Sequence, residues 1–384
     1  MTAPVRRRRL AYLTNIPSPY RRDMAAAWAA LNPELSLSVF YTDADDQGRG
    51  WRAGDIGGGV VERRLPIVLE TDRYGKLNRG LRRMVARHDI VMLGGFEQAS
   101  YLAAGMWARV MRKPVILLFD GFSPARFGHE GRAILALKRA TARLADGFFA
   151  NGIVGERYLR EQIGIPASRP VFNQYLSHAD AAIAAARRRW TGASRQEVRR
   201  YLGVPLDGPL LLSCGYLIER KRVDCTIDAI ARLPEAGRPG LLVVGSGPLE
   251  EALRARARAC GVATHFAGFR QADALADYYF AADALVLSSR DDPWGLVVNE
   301  AMSAGLPVIV SDACGAASDL VHDGSNGFVF AAQDVDALAA AIARLLAADR
   351  EAMGERSRAI IGEWTPSHSA RSLDKVVRAV MPEG

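Results

Sequence analysis

Residues 291–312 read DDPWGLVVNEAMSAGLPVIVSD, where two carboxylates eight positions apart, Asp292 and Glu300, bracket an otherwise apolar segment around Gly295. The pattern predicts a polar loop reaching Gly295, a helix over LVVNEAMSA ended by Gly305, and a strand LPVIVSD. A helix N-terminus offers backbone N–H groups without intrahelical partners and about half a positive charge. Glycine at its mouth lets a ligand come close. The amides of Gly295, Leu296 and Val297 would therefore suit a diphosphate, with a carboxylate on either side to accept from sugar hydroxyls. The plainer reading is that both carboxylates only complement the helix dipole, which suits Asp292 better than Glu300 in its apolar surroundings.

Two other stretches carry phosphate-binding chemistry. SCGYLIERKRVD (213–224) predicts a strand ending at Gly215 and a helix whose start holds Arg220, Lys221 and Arg222. Cations there oppose the macrodipole, a cost that an anion held between them and the backbone would reverse. VVGSGPLEE (243–251) predicts a strand, a turn with Gly245 and Gly247, and a helix. A dinucleotide fingerprint would need a third glycine where Glu250 stands, so a tight turn and a nucleotide contact both remain open. The acidic run DADD (43–46) reads as a solvated loop, and no metal site is expected from it.

These residues must be positioned by a framework. A chain of 384 residues is long for one domain. Buried strands such as RLAYLTN, LSLSVFYT, HDIVMLGG and KPVILLFD alternate with amphipathic stretches such as GRAILALKRATARLAD. That alternation predicts α/β architecture with parallel sheets covered on both faces. It fades over 178–208 and restarts at PLLLSCGY, so two Rossmann-like doubly wound domains are expected. The first spans 1–176, with a returning helix at about 366–384, and the second spans 177–365. Ligands of such sheets sit beyond the strand C-termini, which makes the cleft between the domains the expected site.

Composition narrows the rest. Cys214, Cys225, Cys260 and Cys314 have no paired spacing and read as reduced thiols of a cytoplasmic protein. No apolar run reaches the roughly 18 residues of a membrane span. The basic start MTAPVRRRRLAYLTNIPSPY is too short and broken in its apolar part for a signal peptide. A net charge of +8, mostly arginine, suits an anionic membrane surface or a phosphate-bearing substrate. No basic motif interleaved with aromatics is present, so nucleic acid is not expected as a partner.

The segment from about 209 to 366 resembles the retaining glycosyltransferases of family 4, the group with the GT-B fold that includes sucrose synthase and bacterial mannosyltransferases. The family signature is Glu, seven residues, Glu, then Ala-Met or Ala-Cys and a Gly-x-Pro-Val strand; here it reads Asp292, PWGLVVN, Glu300, AMSAGLPVIVSD. FAGF (266–269), DGSNGFVF (323–330) and, more weakly, TNIPSPYR (14–21) are also similar. The resemblance implies that Glu300 holds the donor ribose and Asp292 the transferred sugar. It also implies that Lys221, with Arg220 and the 295–297 amides, holds the diphosphate, and that Phe269 and Arg270 border the base. It further implies a metal-independent transfer with retention of configuration, and no cofactor beyond the nucleotide-diphosphate sugar as co-substrate. The acceptor, a saccharide or lipid-linked saccharide of surface polysaccharide or glycolipid assembly, would meet the first domain near Asn15, Tyr20, Glu97 and Asp120. Arg82, Arg83 and the arginine-rich start would suit the inner face of a membrane. Five positions depart from the family pattern: Asp292 replaces the first Glu, Tyr216 an Arg, Asp120 a His, and Ile16-Pro17 a Gly-Gly pair. An epimerase-like enzyme or a non-catalytic nucleotide-binding scaffold is the alternative; a Rossmann oxidoreductase is disfavoured by the missing third glycine.

Overall fold

Short apolar runs become parallel strands in this computed structural model, which describes residues 8–43, 56, 59–71, 75–96, 98–120, 122–175, 180–205 and 207–381. The chain divides into two units. Unit 1 comprises Met1–Gly121, Phe127–Leu176 and Thr365–Gly384; unit 2 comprises Phe122–Arg126 and Ser177–Trp364.

Unit 1 contains strands β1 (Arg8–Thr14), β2 (Leu35–Tyr41), β3 (Val61–Arg64), β4 (Ile67–Thr71), β5 (Gly75–Asn78), β6 (Ile90–Leu93), β7 (Val115–Phe119), β8 (Gly147–Ala150) and β9 (Val171–Asn173). Its helices are α1 (Pro19–Leu31), α2 (Leu81–Ala86), α3 (Ala99–Val110), α4 (Arg132–Arg143) and α5 (Gly152–Arg157), the last continuing as a π-helical turn over Tyr158–Ile163. Seven strands form one sheet in the order β3-β2-β1-β6-β7-β8-β9, while β4 and β5 form a separate antiparallel hairpin. The sheet is parallel throughout. Every residue of β6, β7 and β8 is buried, as expected of strands covered on both faces.

Unit 2 begins with α6 (Asp180–Arg189) and α7 (Arg195–Leu202) and continues with β10 (Leu210–Cys214), α8 (Val223–Ala231), β11 (Gly240–Val244) and α9 (Glu250–Ala259). It then runs through β12 (Thr264–Gly268), α10 (Ala272–Ala281), β13 (Ala284–Leu287), α11 (Leu296–Ala304), β14 (Val308–Ser311), α12 (Gly315–Leu320), β15 (Gly327–Phe330), α13 (Val335–Ala347) and α14 (Arg350–Ile361). Its parallel sheet has the order β12-β11-β10-β13-β14-β15. The order reverses between β10 and β13, where Leu212 pairs with Leu285. Loops leaving the C-terminal ends of those two strands therefore diverge and leave a crevice.

Sequence signals at the helix ends are legible locally. Ser194 and Glu197 form a reciprocal capping box on α7. Thr365 accepts from the His368 amide, with Pro366 opening the last helix, α15 (Pro366–Val380). That helix packs on α1, and its Leu373, Val376 and Val377 enter the core of unit 1 beside Trp28 and Phe149. The core of unit 2 joins α8 and α13 to the sheet through Ile227, Ile230, Leu338 and Ile342. Cys214, Cys225 and Cys314 are buried, Cys260 is half-buried, and all four are free thiols.

One expectation is corrected. Asp43, read as part of a solvated DADD loop, is only 3% exposed and pairs with Lys76. The chain turns inward there because the Thr42 and Asp43 amides continue the ladder to Thr14 and Asn15. Residues 44–46 of that run lie outside the described residues.

Candidate functional site

The reversal point of unit 2 gathers the residues singled out above. After β10 the chain turns at Gly215 and forms a 3-10 turn over Glu219–Lys221 before α8. After β13 it runs through Ser288–Trp294 to Gly295 and α11. The Ser288 hydroxyl donates to the Arg222 carbonyl (2.7 Å), and the Arg290 amide donates to the Arg220 carbonyl (2.8 Å). Arg220 Nη1 donates to the Asp291 carbonyl (3.0 Å), so its guanidinium is engaged by backbone.

Lys221 Nζ lies 2.6 Å from Asp292 Oδ2, and both side chains are largely buried. Asp292 is further fixed by backbone: its amide donates to the Ala313 carbonyl (3.1 Å), and its carbonyl accepts from Gly315 (3.0 Å). The sugar-facing carboxylate and the phosphate-facing cation expected from the sequence are thus one ion pair. Arg222 does not join them. It is held by Asp224 Oδ2 (2.9 Å) and the Gln333 side chain (2.9 Å), and Asp224 in the first turn of α8 offsets the unfavourable cation.

Gly295 is the N-cap of α11 at φ 86°, and no side chain caps the helix. A Cβ at this position would lie 2.7 Å from both Cys314 Sγ and Leu287 Cδ2. The protein interior itself therefore requires glycine here, while the first-turn amides at 295–297 are left without side-chain caps. Trp294 locks the turn by donating from Nε1 to Asn299 Oδ1 (2.8 Å) and stacking on Trp364.

Glu300 stands in the middle of α11, 6% exposed, and accepts from the Tyr279 hydroxyl through Oε2. Burial, then the neighbouring Cys214 and Glu300, push the Tyr279 hydroxyl well above its ordinary pKa. Burial and the Glu300 charge push the Cys214 thiol up to about 12. Both groups are consequently neutral beside one carboxylate, and Tyr279 is the one that donates to it. Tyr279 was not anticipated: in ADALADYYFAAD it reads as one more apolar-face residue of a helix.

The glycine turn after β11 has a packing reason. A Cβ on Gly245 would lie 1.9 Å from the Gly215 carbonyl oxygen, and one on Gly247 would lie 2.5 Å from that of Leu217. The two glycines let this turn seat directly on the loop that carries Lys221. Gly245 in turn donates to the Gly268 carbonyl (2.9 Å), which lines up the turns after β10, β11 and β12. Phe269 follows Gly268 and is 56% exposed, and Arg270 Nε donates to the Tyr278 hydroxyl (3.0 Å). Tyr216, at the departure from the family pattern, is likewise exposed.

In unit 1 the corresponding reversal lies between β1 and β6. Asn15 and Asp120, read separately from the sequence, are brought together by Arg21. Its Nε and Nη2 engage Asp120 (3.1 and 2.7 Å), and its Nη1 donates to Thr14 Oγ1 (2.6 Å) and Asn15 Oδ1 (2.8 Å). Burial works against the Arg21 charge, but Asp120 and the surrounding Tyr12, Tyr20 and Tyr101 hold its pKa well above the ordinary value. Tyr20 lies under the guanidinium, 5.6 Å from its carbon. Arg21 sits within TNIPSPYR, where its abundance among surface arginines hid it. Glu97 lies outside the described residues.

Residues 194–360, inside unit 2, match the family described as Glycosyl transferases group 1. The chain carries a glycosyl transferases group 1 domain and is a glycosyltransferase. It is 29% identical over 314 residues, 78% of each chain, to a GDP-mannose-dependent α-(1-6)-phosphatidylinositol monomannoside mannosyltransferase of Mycobacterium tuberculosis. Over 173 residues, 44% of this chain and 40% of the relative, it is 34% identical to D-inositol 3-phosphate glycosyltransferase of Xylanimonas cellulosilytica. Among solved structures, HepE of Anabaena in complex with UDP superposes with a TM-score of 0.73 at 18% identity. The match covers 97% of this chain and all of that one. Sucrose-phosphate synthase of Thermosynechococcus elongatus gives 0.72 at 20%, covering 97% and 98%. The fold of this glycosyltransferase is GT-B.

Proposed function

We propose that the enzyme transfers a sugar from a nucleotide-diphosphate donor to an acceptor hydroxyl with retention of configuration, without a metal. The observation that carries this reading is the convergence of Lys221, Asp292, the α11 N-terminus and Glu300 at the strand-order reversal of unit 2. Nucleotide and diphosphate need different partners, and the crevice supplies both: a ribose-directed carboxylate in Glu300, and a cation with free amides for phosphate. The relatives named for GDP-mannose use and the neighbour bound to UDP support the donor class.

In the reaction the bond from the sugar anomeric carbon to the diphosphate oxygen breaks, and a bond to the acceptor oxygen forms on the same face. The acceptor proton passes to the departing phosphate. The transition state places negative charge on the diphosphate and positive charge on the sugar ring. Lys221 and the 295–297 amides stabilise the first, and Asp292 lies beside Lys221 to orient sugar hydroxyls and face the second. When the diphosphate arrives, Lys221 is shared between it and Asp292. Arg220, held on the Asp291 carbonyl, adds positive potential. Phe269 and Arg270 border the base, with Gly245 and Gly247 shaping the wall beneath.

The acceptor we favour is a saccharide or lipid-linked saccharide of surface polysaccharide or glycolipid assembly, handled at the cytoplasmic membrane face. The relative acting on a phosphatidylinositol mannoside supports it. Asn15, Tyr20 and Asp120 would present it from unit 1.

Thermal unfolding with UDP, GDP, ADP, dTDP and their common sugars tests the donor site on wild type and Glu300→Ala. Ligand at about 100 times its dissociation constant adds about 2.7 kcal/mol of stability. One nucleotide should raise the midpoint of wild type and leave the variant unmoved. If no nucleotide shifts folded wild type, the donor reading fails. The anomeric configuration of the product, read by NMR, tests retention.

A further inference from the structure

One part of unit 1 exposes apolar side chains that neither the sheet nor the proposed site uses. In β4, the consecutive residues Ile67, Val68 and Leu69 are 38%, 58% and 55% exposed. The register of the hairpin shifts between Ile67, opposite Asn78, and Leu69, opposite Leu77, and all three side chains are left uncovered at this irregularity.

The base of the hairpin is nevertheless fixed. Buried Asn78 donates through Nδ2 to the carbonyls of Leu65 (2.8 Å) and Thr42 (3.0 Å). Ser100, in the first turn of α3, accepts from the Asn78 amide (2.8 Å) and donates to the Lys76 carbonyl (2.9 Å). β5 packs beside α3, and α2 packs along α3. At the far end of α3, Met106, Trp107 and Val110 share one face and are exposed, Val110 to 73%. The Arg82 guanidinium of α2 lies over the Trp107 ring, 5.6 Å from its centroid. Hairpin, α2 and α3 are thus packed together, and two sets of apolar projections, on β4 and at the end of α3, stand on that base.

Charge identifies what meets this surface. Arg63, Arg64, Arg79, Arg82 and Arg83 are all exposed around it. Among the described residues of 61–83 the carboxylates are Glu62, paired with Arg22, and Glu70, beside Lys76. A second copy docking symmetrically would oppose arginine to arginine. A surface of anionic headgroups over an apolar layer complements both features. No helix of the described residues is long and apolar enough to cross a membrane, so contact would be peripheral.

We propose that β4–β5, α2 and the Trp107 end of α3 dock the enzyme on an anionic lipid surface. Ile67, Val68 and Leu69 enter the headgroup boundary, and the five arginines meet lipid phosphates. The inference rests on the transferase reading only in expecting a lipid-linked acceptor.

Sedimentation with phosphatidylglycerol–phosphatidylcholine vesicles and with pure phosphatidylcholine vesicles, at low and high salt, tests it. Wild type should bind the anionic vesicles and be released by salt. Val68→Thr/Leu69→Thr, which keeps strand propensity, and Arg82→Gln/Arg83→Gln should each bind at least about tenfold more weakly. Thermal shifts with UDP and GDP on the same samples report an intact fold and the donor site separately. The docking surface is overturned if wild type ignores anionic vesicles, or if both variants bind them as wild type does. It is also overturned if the hairpin instead drives a concentration-dependent dimer that the Val68/Leu69 variant abolishes. Vesicle binding without any nucleotide effect would sink the donor reading and leave the surface standing.

Discussion

Lys221 and Asp292 form a nearly buried ion pair at 2.6 Å, joining the loops that leave β10 and β13. Because both charges are withdrawn from solvent, removing one strands the other. Lys221→Met should lower stability by roughly 3 kcal/mol, while the double variant Lys221→Met/Asp292→Leu should recover most of that loss. Urea denaturation of wild type and the two variants measures it. Transfer should fall at least ~100-fold in both variants, since the cation facing the leaving diphosphate is gone in each. Recovery of activity along with stability in the double variant would show that Lys221 is structural only.

The Tyr279 hydroxyl donates to Glu300 Oε2 and holds that carboxylate in place. Tyr279→Phe removes a hydrogen bond to a charged group, a contribution of about 1.5–3 kcal/mol. Stability should fall by that amount, and nucleoside diphosphate affinity should fall with it. The preference for ribose over 2′-deoxyribose should shrink with it, because Glu300 is no longer held in one orientation. Calorimetric titration of the two nucleotides against wild type and variant checks this; an unchanged ratio would mean that Tyr279 does not orient Glu300.

Strand–helix alternation made both sheets readable, because parallel strands buried on both faces are continuous apolar runs such as VILLF and LLLSC. The residues of the site in unit 2 were legible as chemistry at a helix mouth. Their pairing was not, since Lys221 and Asp292 are 71 positions apart and meet only through the reversal of strand order. Tyr279 escaped notice because an aromatic on an apolar helix face carries no polar signal until its hydroxyl finds Glu300. Strand β3 was hidden by Glu62, Arg63 and Arg64, and the hairpin β4–β5 by Glu70 and Lys76, which interrupt the apolar pattern. Gly245 and Gly247 raised a ligand question from sequence, and close contact with the Gly215 and Leu217 carbonyls supplies a second reason for them.

Asp120 holds the buried Arg21 guanidinium with both oxygens. Replacing it by histidine should therefore harm this chain. Asp120→His would leave Arg21 buried without its anion, at a cost of roughly 3 kcal/mol. Asp120→Asn, which keeps an acceptor for Arg21, should cost less. Thermal unfolding of the two variants ranks them, and equal stability of Asp120→His and wild type would show that Arg21 does not depend on Asp120.

His88 provides the pH-dependent element of unit 1. It is buried beside the edge of the Phe40 ring, with Nδ1 2.7 Å from the Met84 carbonyl. Burial lowers its pKa below the ordinary value, against the smaller raising effect of the Met84 hydrogen bond. The unfolded chain thus takes up a proton near pH 6.5 that the folded chain refuses. The stability held by neutral His88 is complete above that pH and is lost as pH falls toward the depressed folded value. His265, lowered by burial and by Arg254 and Arg270, acts in the same direction. Between about pH 7.5 and pH 5.5 the melting temperature of wild type should fall. In His88→Gln the fall should be shallower but still present, because His265 continues to titrate. Identical slopes for the two proteins would remove His88 as the source.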